Sequence, residues 1–280
     1  METIASGYGL IEGPVWDKLN GLYFSDVING GVFRLDRAGK IMPVVPRRRG
    51  IGGMALHEAG GLVVGGRDIA CVSLKDGASK TLLALDAIPG ATGFNDLTTD
   101  AAGRIYVGSL AYKVFGGDPP KPGHLHVIDL DGGMRTISDG VMLTNGLGFS
   151  PDGCVLYHCD TAVNGVWAHD YADDGSAAGR RFLVRRDDLS PDGLAVDEAG
   201  TVWVADVSGS GSVRAFAPTG KEVARIEVPA RAVTSLCFGG VERRHVYIVT
   251  ADNRDQEDRA GTVFYTRAEV PGCRIPLARV

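Results

Sequence analysis

The chain has 280 residues, a formal net charge of −5 and 44% hydrophobic residues. This mild acidity argues against a nucleic acid or a membrane surface as partner, because both favour a basic face. No stretch approaches the roughly 20 apolar residues of a membrane helix, and the first residues lack the basic and apolar regions of a signal peptide. The five cysteines are scattered and include no CxxC pair, which fits free thiols in a reducing compartment. We therefore expect a cytoplasmic protein.

A short unit with a glycine-containing turn returns six times along the chain. Each copy has an apolar alternation, a turn with an acidic or polar residue ahead of Gly, and a second apolar run, which predicts a β-hairpin. The copies are VWDKLNGLYFSD (15–26), MALHEAGGLVVGG (54–66), LTTDAAGRIYVGS (97–109), LGFSPDGCVLYHCD (147–160), LAVDEAGTVWVAD (194–206) and LCFGGVERRHVYIVT (236–250).

Further runs of strand character follow the hairpins, such as GVFRLD (31–36) and RFLVRR (181–186). Four strands in each of six copies predict an all-β fold, a six-bladed β-propeller with four antiparallel strands per blade. A jelly roll or sandwich also has many strands, but it does not repeat at this period. Because no linker divides the chain, we expect residues 1–280 to form one domain.

One position occurs once in each copy, namely the residue that precedes the first strand of the hairpin. Successive occupants are separated by about the length of one blade. We call this the channel position, because first strands line the central channel of a propeller and equivalent residues converge near its axis. Its occupants in chain order are Glu12, Gly52, Asn95, Asn145, Asp192 and Thr234.

Four of these residues carry a carboxylate or an amide: Glu12, Asn95, Asn145 and Asp192. Taken singly, each has a simpler interpretation as a residue that ends its strand. Together, two carboxylates and two amide oxygens suit one divalent cation, with calcium or magnesium favoured by all-oxygen ligands. Manganese or zinc remains open, although no His or Cys is present to select zinc.

The loops after the second strands are expected to overhang this site. They carry Asp26, Arg67, Ser109, Asp160, Asp206 and Asp252. The longest such loop, LAYKVFGGDPPKPG (110–123), is predicted to be a lid. Arg47, in the run 47–49, is either part of a solvated charged surface or a residue that binds an anionic substrate. For His158, near the mouth, we expect a core or rim role.

Several of these motifs resemble the senescence marker protein, regucalcin and gluconolactonase family. The resemblance covers nearly the whole chain, in order and with similar spacing. The motifs are EGPVW (12–16), FND (94–96), DAAGRIYVGS (100–109), NGLGFSPDG (145–153), PDGLAVDEAGTVWVA (191–205) and TSLCFGG (234–240).

This resemblance implies a six-bladed propeller and a metal-dependent hydrolase, in most members a sugar lactonase. It implies Glu12, Asn145 and Asp192 as metal ligands, with Asn95 near both the metal and the substrate. At two substrate-contacting positions the chain differs from the animal sugar lactonases. Gly93 stands where they have Arg, and Lys113 or its neighbour Tyr112 stands where their lid has an acid. Which lactone is bound therefore stays open.

The function expected from these features is hydrolysis of a sugar lactone or related cyclic ester by metal-activated water. Asp192 is the expected general base, and Asn95, Tyr112, Lys113 and Arg47 are the expected substrate contacts. One alternative is an organophosphate or fluorophosphate hydrolase, in which Asp192 attacks phosphorus. Another is a non-catalytic propeller that binds calcium or a protein partner. The expected partner is a small-molecule substrate, and we expect a monomer or a weak homo-oligomer.

Overall fold

The computed structural model describes residues 1–251 and 260–280 and contains six four-stranded antiparallel sheets. Blade 1 consists of β2 (Ile11–Asp17), β3 (Gly21–Asp26), β4 (Val32–Leu35) and β5 (Ile41–Val45). Blade 2 consists of β6 (Met54–His57), β7 (Gly61–Val64), β8 (Ile69–Ser73) and β9 (Ser79–Leu83). Blade 3 consists of β10 (Gly93–Thr99), β11 (Ile105–Leu110), β12 (Gly123–Ile128) and β13 (Met134–Val141). Blade 4 consists of β14 (Thr144–Phe149), β15 (Val155–Asp160), β16 (Gly165–Tyr171) and β17 (Ala177–Arg185). Blade 5 consists of β18 (Pro191–Val196), β19 (Val202–Asp206), β20 (Ser212–Phe216) and β21 (Glu222–Glu227). Blade 6 consists of β22 (Val233–Gly239), β23 (His245–Thr250) and β24 (Gly261–Arg267), together with β1 (Glu2–Tyr8). The predicted six-bladed propeller is confirmed.

The turn acids and the apolar alternation explain why each repeat becomes a blade. In blade 5, Oδ1 of Asp197 accepts the backbone N–H groups of Ala199 at 3.0 Å and Thr201 at 2.9 Å, which closes the inner hairpin. The side chains that alternate along the strands are buried between neighbouring blades. Phe94 and Leu97 of blade 3 pack with Val63 of blade 2 in this way. The hydrophobic core is therefore distributed around the ring.

The N-terminal strand closes the ring. The sixth sequence repeat contributes only β22, β23 and β24, and β1 pairs with β24 as the outermost strand of that blade. The register joins Ser6 to Thr262 and Tyr8 to Gly261. Residues from both ends of the sequence thus share one sheet, which the repeats alone do not predict.

The last residues form a feature that the sequence analysis did not anticipate. Residues 268–280, the C-terminal strap, cross the face of the ring opposite the channel positions. Backbone N–H groups of the strap donate to blades 5, 2 and 3, from Cys273 to Val196 at 2.8 Å, from Ala278 to Leu56 at 2.8 Å and from Arg279 to Gly103 at 3.0 Å. A cavity of about 690 Å³ lies between the strap and blades 3, 4 and 5.

Helical structure is minimal in the described part of the chain. It consists there of two single-turn 3₁₀ helices, Leu85–Ala87 and Thr161–Val163. No helix built from residues 1–251 and 260–280 is long and apolar enough to cross a bilayer. The assignment of residues 1–280 to one domain stays a prediction.

Candidate metal centre at the channel mouth

The channel residues lie inside the inner strands, one or two residues past their first residue. Glu12, Asn145 and Asp192 are each second in their strands, and Asn95 is third. The sequence placed them before the strands, but pairing of the preceding residue extends each strand at its start, as Ile11 pairs with Asp26. The ladder is irregular directly after each of these four starts. All four residues therefore lie at an irregular part of their strand ladders.

A hydrogen-bonded amide pair joins blades 3 and 4 at this level. Nδ2 of Asn95 donates to Oδ1 of Asn145 at 2.6 Å and to the backbone carbonyl of Thr144 at 2.8 Å. Nδ2 of Asn145 in turn donates to Oγ1 of Thr161 at 2.6 Å. Both hydrogens of the Asn95 amide are therefore used, and its Oδ1 is the atom left for a ligand.

Two carboxylates complete the group from blades 1 and 5. Glu12 and Asp192 are each only 7% exposed. Burial, followed by repulsion from Asp192 and then Asp96, raises the pKa of Glu12 well above its usual value. Burial and then Asp96 do the same to the pKa of Asp192. Oε2 of Glu12 and Oδ1 of Asp192 are buried without a hydrogen-bond partner within the described residues.

Asp96 is a third carboxylate at this centre, although the Asn-Asp pair in the sequence is equally typical of a turn. It is 7% exposed, and burial raises its pKa to about 7. A signal for it does exist in the sequence. The residue after the channel position is glycine in four blades, namely Gly13, Gly53, Gly146 and Gly193.

Close approach of neighbouring inner strands explains these glycines. A Cβ on Gly146 would collide with the backbone of Asp192 and Leu194 in the next blade. The two blades without glycine here are blade 6, with the small Ser235, and blade 3, with Asp96, so blade 3 alone brings a charged side chain into this layer. This departure from the x-Gly pattern could have identified Asp96.

The remaining two channel positions are structural. Gly52 of blade 2 makes room for the Asn95 amide, because a Cβ there would collide with Asn95 Oδ1. Thr234 of blade 6 donates from Oγ1 to the carbonyl of Ile11 at 2.5 Å and ties the last blade to the first. Neither residue offers an unused ligand atom comparable to those of Glu12 and Asp192.

The donors at this centre fit a hard divalent cation. Two buried carboxylate oxygens without partners carry a cost that a cation relieves, and Asn145 Oδ1 keeps a second lone pair beside its bond from Asn95. Within residues 1–251 and 260–280, no three His, Cys, Asp or Glu side chains have a geometry that would hold a metal. A cation here must therefore draw on amide oxygens and water in addition to carboxylates.

The acidic residues in the overhanging loops are used by the fold. Oδ2 of Asp26 accepts the N–H of Gly9 at 2.9 Å, and Asp160 accepts those of Met142 and Leu143 at 3.0 and 2.8 Å. Asp206 accepts the N–H of Ser190 at 3.1 Å. These carboxylates hold the turns between blades and are not free for a ligand.

The other members of that loop set have different positions. Oγ of Ser109 lies 3.0 Å from Nε2 of His126 inside blade 3. Arg67 is exposed and lies one place beyond the true counterpart of Asp26, which is Gly66. Asp252 lies outside the described residues.

The predicted lid contains no strand between β11 and β12, and its two predicted substrate contacts differ in exposure. Tyr112 is buried, and burial, followed by the negative charge of Asp160, raises its pKa. Lys113 is exposed, and its backbone N–H donates to Asp118 at 3.1 Å. Gly93 is buried, and among the described residues the carbonyl of Gly66, at 3.4 Å, is the one atom close to the place of a Cβ. Arg47 is exposed at the rim between blades 1 and 2.

His158 lies in the interior of blade 4, behind the amide pair. Its Nε2 is 2.6 Å from Oγ1 of Thr144, and burial keeps the pKa of the ring well below its usual value. A neutral, fully buried imidazole supports the strand that carries Asn145. The cavity beneath the strap is at the other end of the channel, so the candidate centre and the larger cavity are separate features.

Comparison with known proteins agrees with this architecture. The family model for the SMP-30/Gluconolactonase/LRE-like region matches residues 10–252. A 6-deoxy-6-sulfogluconolactonase of Pseudomonas putida is 33% identical over 279 residues, covering 95% of this chain and 94% of that protein. Regucalcin of Xenopus laevis is 30% identical over 262 residues, covering 91% and 88%.

A solved structure of a calcium-binding regucalcin from Agrobacterium tumefaciens superposes with a TM-score of 0.88 at 21% identity. The match covers 99% of this chain and 97% of that one, and it supports the fold alone. The family match extends over most of the sequence and includes the four channel residues with donor atoms. The chain therefore belongs to the SMP-30/gluconolactonase/LRE-like family.

Proposed function

We propose that this protein is a divalent-metal-dependent hydrolase that opens a lactone, either a sugar lactone or a related cyclic ester. The observation that carries the proposal is the pair of buried, partnerless carboxylate oxygens on Glu12 and Asp192 beside the Asn95–Asn145 amide pair. A lactonase among the relatives, at 33% identity over nearly the whole chain, supports the same reaction class.

Glu12, Asn145 and Asp192 would hold the cation, and Oδ1 of Asn95 would complete the set. Calcium suits this all-oxygen set best, with magnesium, manganese and zinc as the ions to compare against it. When bound, a divalent cation polarises an ester carbonyl and lowers the pKa of water.

The chain's own residues then have distinct tasks. Asp192 would accept the proton of the attacking water as general base, because a carboxylate beside the cation can take a proton from water held there. Asn95 can act only as an acceptor, since both of its N–H groups bond to Thr144 and Asn145. It therefore orients a substrate hydroxyl or binds the cation.

Substrate contacts come from the loops around the mouth. Tyr112 offers a buried ring from the lid, and Lys113 offers an exposed ammonium. Arg47 offers a second cation at the rim between blades 1 and 2. An oxygen-rich, partly anionic lactone matches these groups in charge and in hydrogen bonding.

The experiment is a metal-supplemented hydrolysis screen on chelator-treated protein. Calcium, magnesium, manganese and zinc are added back singly, and gluconolactone, an aliphatic lactone and a fluorophosphate serve as substrates. We expect at least one ion to restore lactone hydrolysis. Absence of rescue by every ion would overturn the proposal. Faster turnover of the fluorophosphate would favour a phosphorus hydrolase, and bound metal without turnover would favour a binding propeller.

Matched variants of one blade separate catalysis from folding. Asp192→Ala and Asp192→Asn should lower kcat by at least about a thousandfold. Asp197→Asn alters a buried aspartate at the opposite end of the same inner strand, where it holds a turn. Its folded fraction should keep wild-type kcat. Full activity of Asp192→Ala with metal bound would contradict the general-base role.

A further inference from the structure

Arg67 lies in the loop after the second strand of blade 2, Gly61–Val64. In blade 1, Val15 pairs with Tyr23, and in blade 2 the equivalent Ala55 pairs with Val63. Counting on from this pairing, Gly66 takes the place that Asp26 has in blade 1. Arg67 is the next residue, so its counterpart in blade 4 is Thr161, which follows Asp160.

The contacts of Thr161 show which atoms a side chain at this position can approach. Oγ1 of Thr161 accepts from the Asn145 amide at 2.6 Å and donates to the carbonyl of Pro191, the residue before Asp192, at 2.6 Å. By the rotational relationship of the blades, Arg67 lies beside the boundary of blades 2 and 3. There, the carbonyl of Gly66 accepts the N–H of Phe94, the residue before Asn95, at 2.7 Å.

Two more arginines lie next to Arg67 on the same rim. The carbonyl of Arg49 is 3.1 Å from the place of a Cβ on Gly66, so the segment 47–50 packs directly against the start of the Arg67 loop. Arg47, Arg49 and Arg67 are all exposed. None of the three forms a hydrogen bond or an ion pair with any other residue that the structure describes.

The arginine between them behaves differently. Arg48 donates to Oδ1 of Asp68 at 2.5 Å and to the carbonyl of Gly65 at 3.1 Å. It thus anchors the segment to blade 2, whereas Cγ of Arg49 lies 2.9 Å from the place of a Cβ on Gly30 in blade 1. Arg47 has a φ of 66°, a left-handed conformation that is rare outside glycine and that marks a locally strained backbone, as at many ligand sites.

We infer that Arg67, together with Arg47 and Arg49, forms a subsite for an anionic group that the substrate carries away from its lactone carbonyl. Three unpaired cations on one rim of a protein with net charge −5 favour a sulfonate, phosphate or carboxylate. This inference rests on the proposed function, since it places the anion on the substrate of the same centre.

Acidic neighbours limit where the anion can lie. Arg67 also borders a groove of about 560 Å³ on the outer side, which Asp68 and Asp86 line as well. Asp68 is occupied by Arg48 and by Oγ1 of Thr81 at 3.3 Å. Because Asp86 repels an anion in that groove, the side of Arg67 nearer the segment 47–50 is the favourable place.

The test compares lactones that differ only in charge. Gluconolactone is measured beside counterparts that carry a sulfonate, a phosphate or a carboxylate on the carbon farthest from the carbonyl. Wild-type kcat/KM should be higher for at least one anionic lactone, and added salt should reduce that preference. Arg67→Ala should lower kcat/KM for the preferred anion roughly tenfold and leave the neutral lactone unchanged.

Further substitutions of these arginines test their assignment to the anion subsite. Arg67→Lys should retain part of the preference, Arg67→Glu should abolish it, and the triple alanine variant should lower kcat/KM for the anionic lactone by about 100-fold. Arg274→Ala is the matched control, because Arg274 is also exposed but belongs to the strap on the other face. A loss equal for neutral and anionic lactones, or equal in Arg274→Ala, would overturn the inference while leaving the lactonase proposal intact.

A binding measurement judges the subsite even without turnover. Calorimetry on chelator-treated protein compares gluconate with phosphogluconate, which differ by the distant anion. Tighter binding of phosphogluconate that Arg67→Ala removes would support the subsite. Equal binding of the two acids by the wild type would count against it, whether or not any lactone is hydrolysed.

Discussion

Nδ2 of Asn95 donates a hydrogen bond of 2.6 Å to Oδ1 of Asn145, and this bond joins two blades at the channel mouth. Its second hydrogen goes to the carbonyl of Thr144. The amide therefore acts as a bridge between inner strands and as one side of the candidate metal centre. A substitution at Asn95 must change both roles at once.

Asn95→Asp should make the protein depend on a cation for its stability. The change removes both N–H donors and sets a new carboxylate against two acceptor oxygens, near Glu12 and Asp192. We expect the metal-free free energy of unfolding to fall by about 2–3 kcal/mol, and the thermal stabilisation by calcium to exceed that of the wild type. Thermal denaturation with chelator and with calcium measures both. Asn95→Ala, which adds no charge, is the control; equal behaviour of the two variants would refute the charge argument.

Glu12→Gln and Asp192→Asn should stabilise the metal-free protein. Each removes a buried charge that repels its neighbours. We expect the free energy of unfolding at neutral pH to rise by about 1–2 kcal/mol. Asp206→Asn is the matched contrast, because that fully buried carboxylate accepts bonds from Ser190, Ser208 and Ser210. This variant's free energy of unfolding should fall by about 1–3 kcal/mol. Chemical denaturation in the presence of a chelator measures the free energy of unfolding of each variant. Destabilisation by all three substitutions would show that the carboxylates are structural.

Asp100 should stabilise the fold in a pH-dependent way. Burial opposes its ionisation, but hydrogen bonds from Tyr171 at 2.5 Å and Arg104 at 2.6 Å outweigh burial and lower the pKa of Asp100. Because the folded pKa is below the unfolded one, the contribution is complete above the unfolded value and is lost as pH falls through the folded value.

The variant Asp100→Asn tests this sign. It should cost about 2–3 kcal/mol at neutral pH, and the difference from wild type should shrink once the pH falls below about 4. Urea denaturation at a series of pH values measures the difference. A gap that stays constant into the acid range would mean that the carboxylate is not the source of the stability.

The strap should stabilise the ring without affecting the candidate centre. Ala278 is fully buried, and its N–H donates to Leu56 of blade 2. Ala278→Asp should cost about 3 kcal/mol, because it buries a charge without a partner. Arg279→Ala removes only a surface ion pair with Glu58 and should cost under about 1 kcal/mol. Thermal denaturation measures the cost, and lactone hydrolysis at low temperature should stay unchanged in both.

The repeats predict the ring because their signals are local. Apolar alternation and a turn acid ahead of glycine recur within each copy, and the turn of Asp197 shows that those residues do close a hairpin. The equivalence of Glu12, Asn95, Asn145 and Asp192 is predicted by the repeat spacing, and each of the four lies at an irregular part of its strand ladder. Their roles at a metal remain a proposal.

Long-range contacts explain what the repeats do not predict. The pairing of β1 with β24 and the path of the strap join segments far apart in sequence, and neither segment carries a repeat. Asp26 and Asp160 look like acids at the mouth, but only the structure shows the backbone N–H groups that occupy them. Asp96 was missed because Asn-Asp is typical of turns, whereas here the pair lies in a strand.

Ring closure by β1 also protects a strand edge. The outermost strand of blade 6, Glu2–Tyr8, comes from the segment that precedes blade 1, and it pairs with Gly261–Arg267. Without it, the backbone N–H and C=O groups of Gly261–Arg267 on that side would form an open edge, and an open edge can pair with a strand of another chain. The strand that closes the ring therefore also guards the propeller against association through this edge.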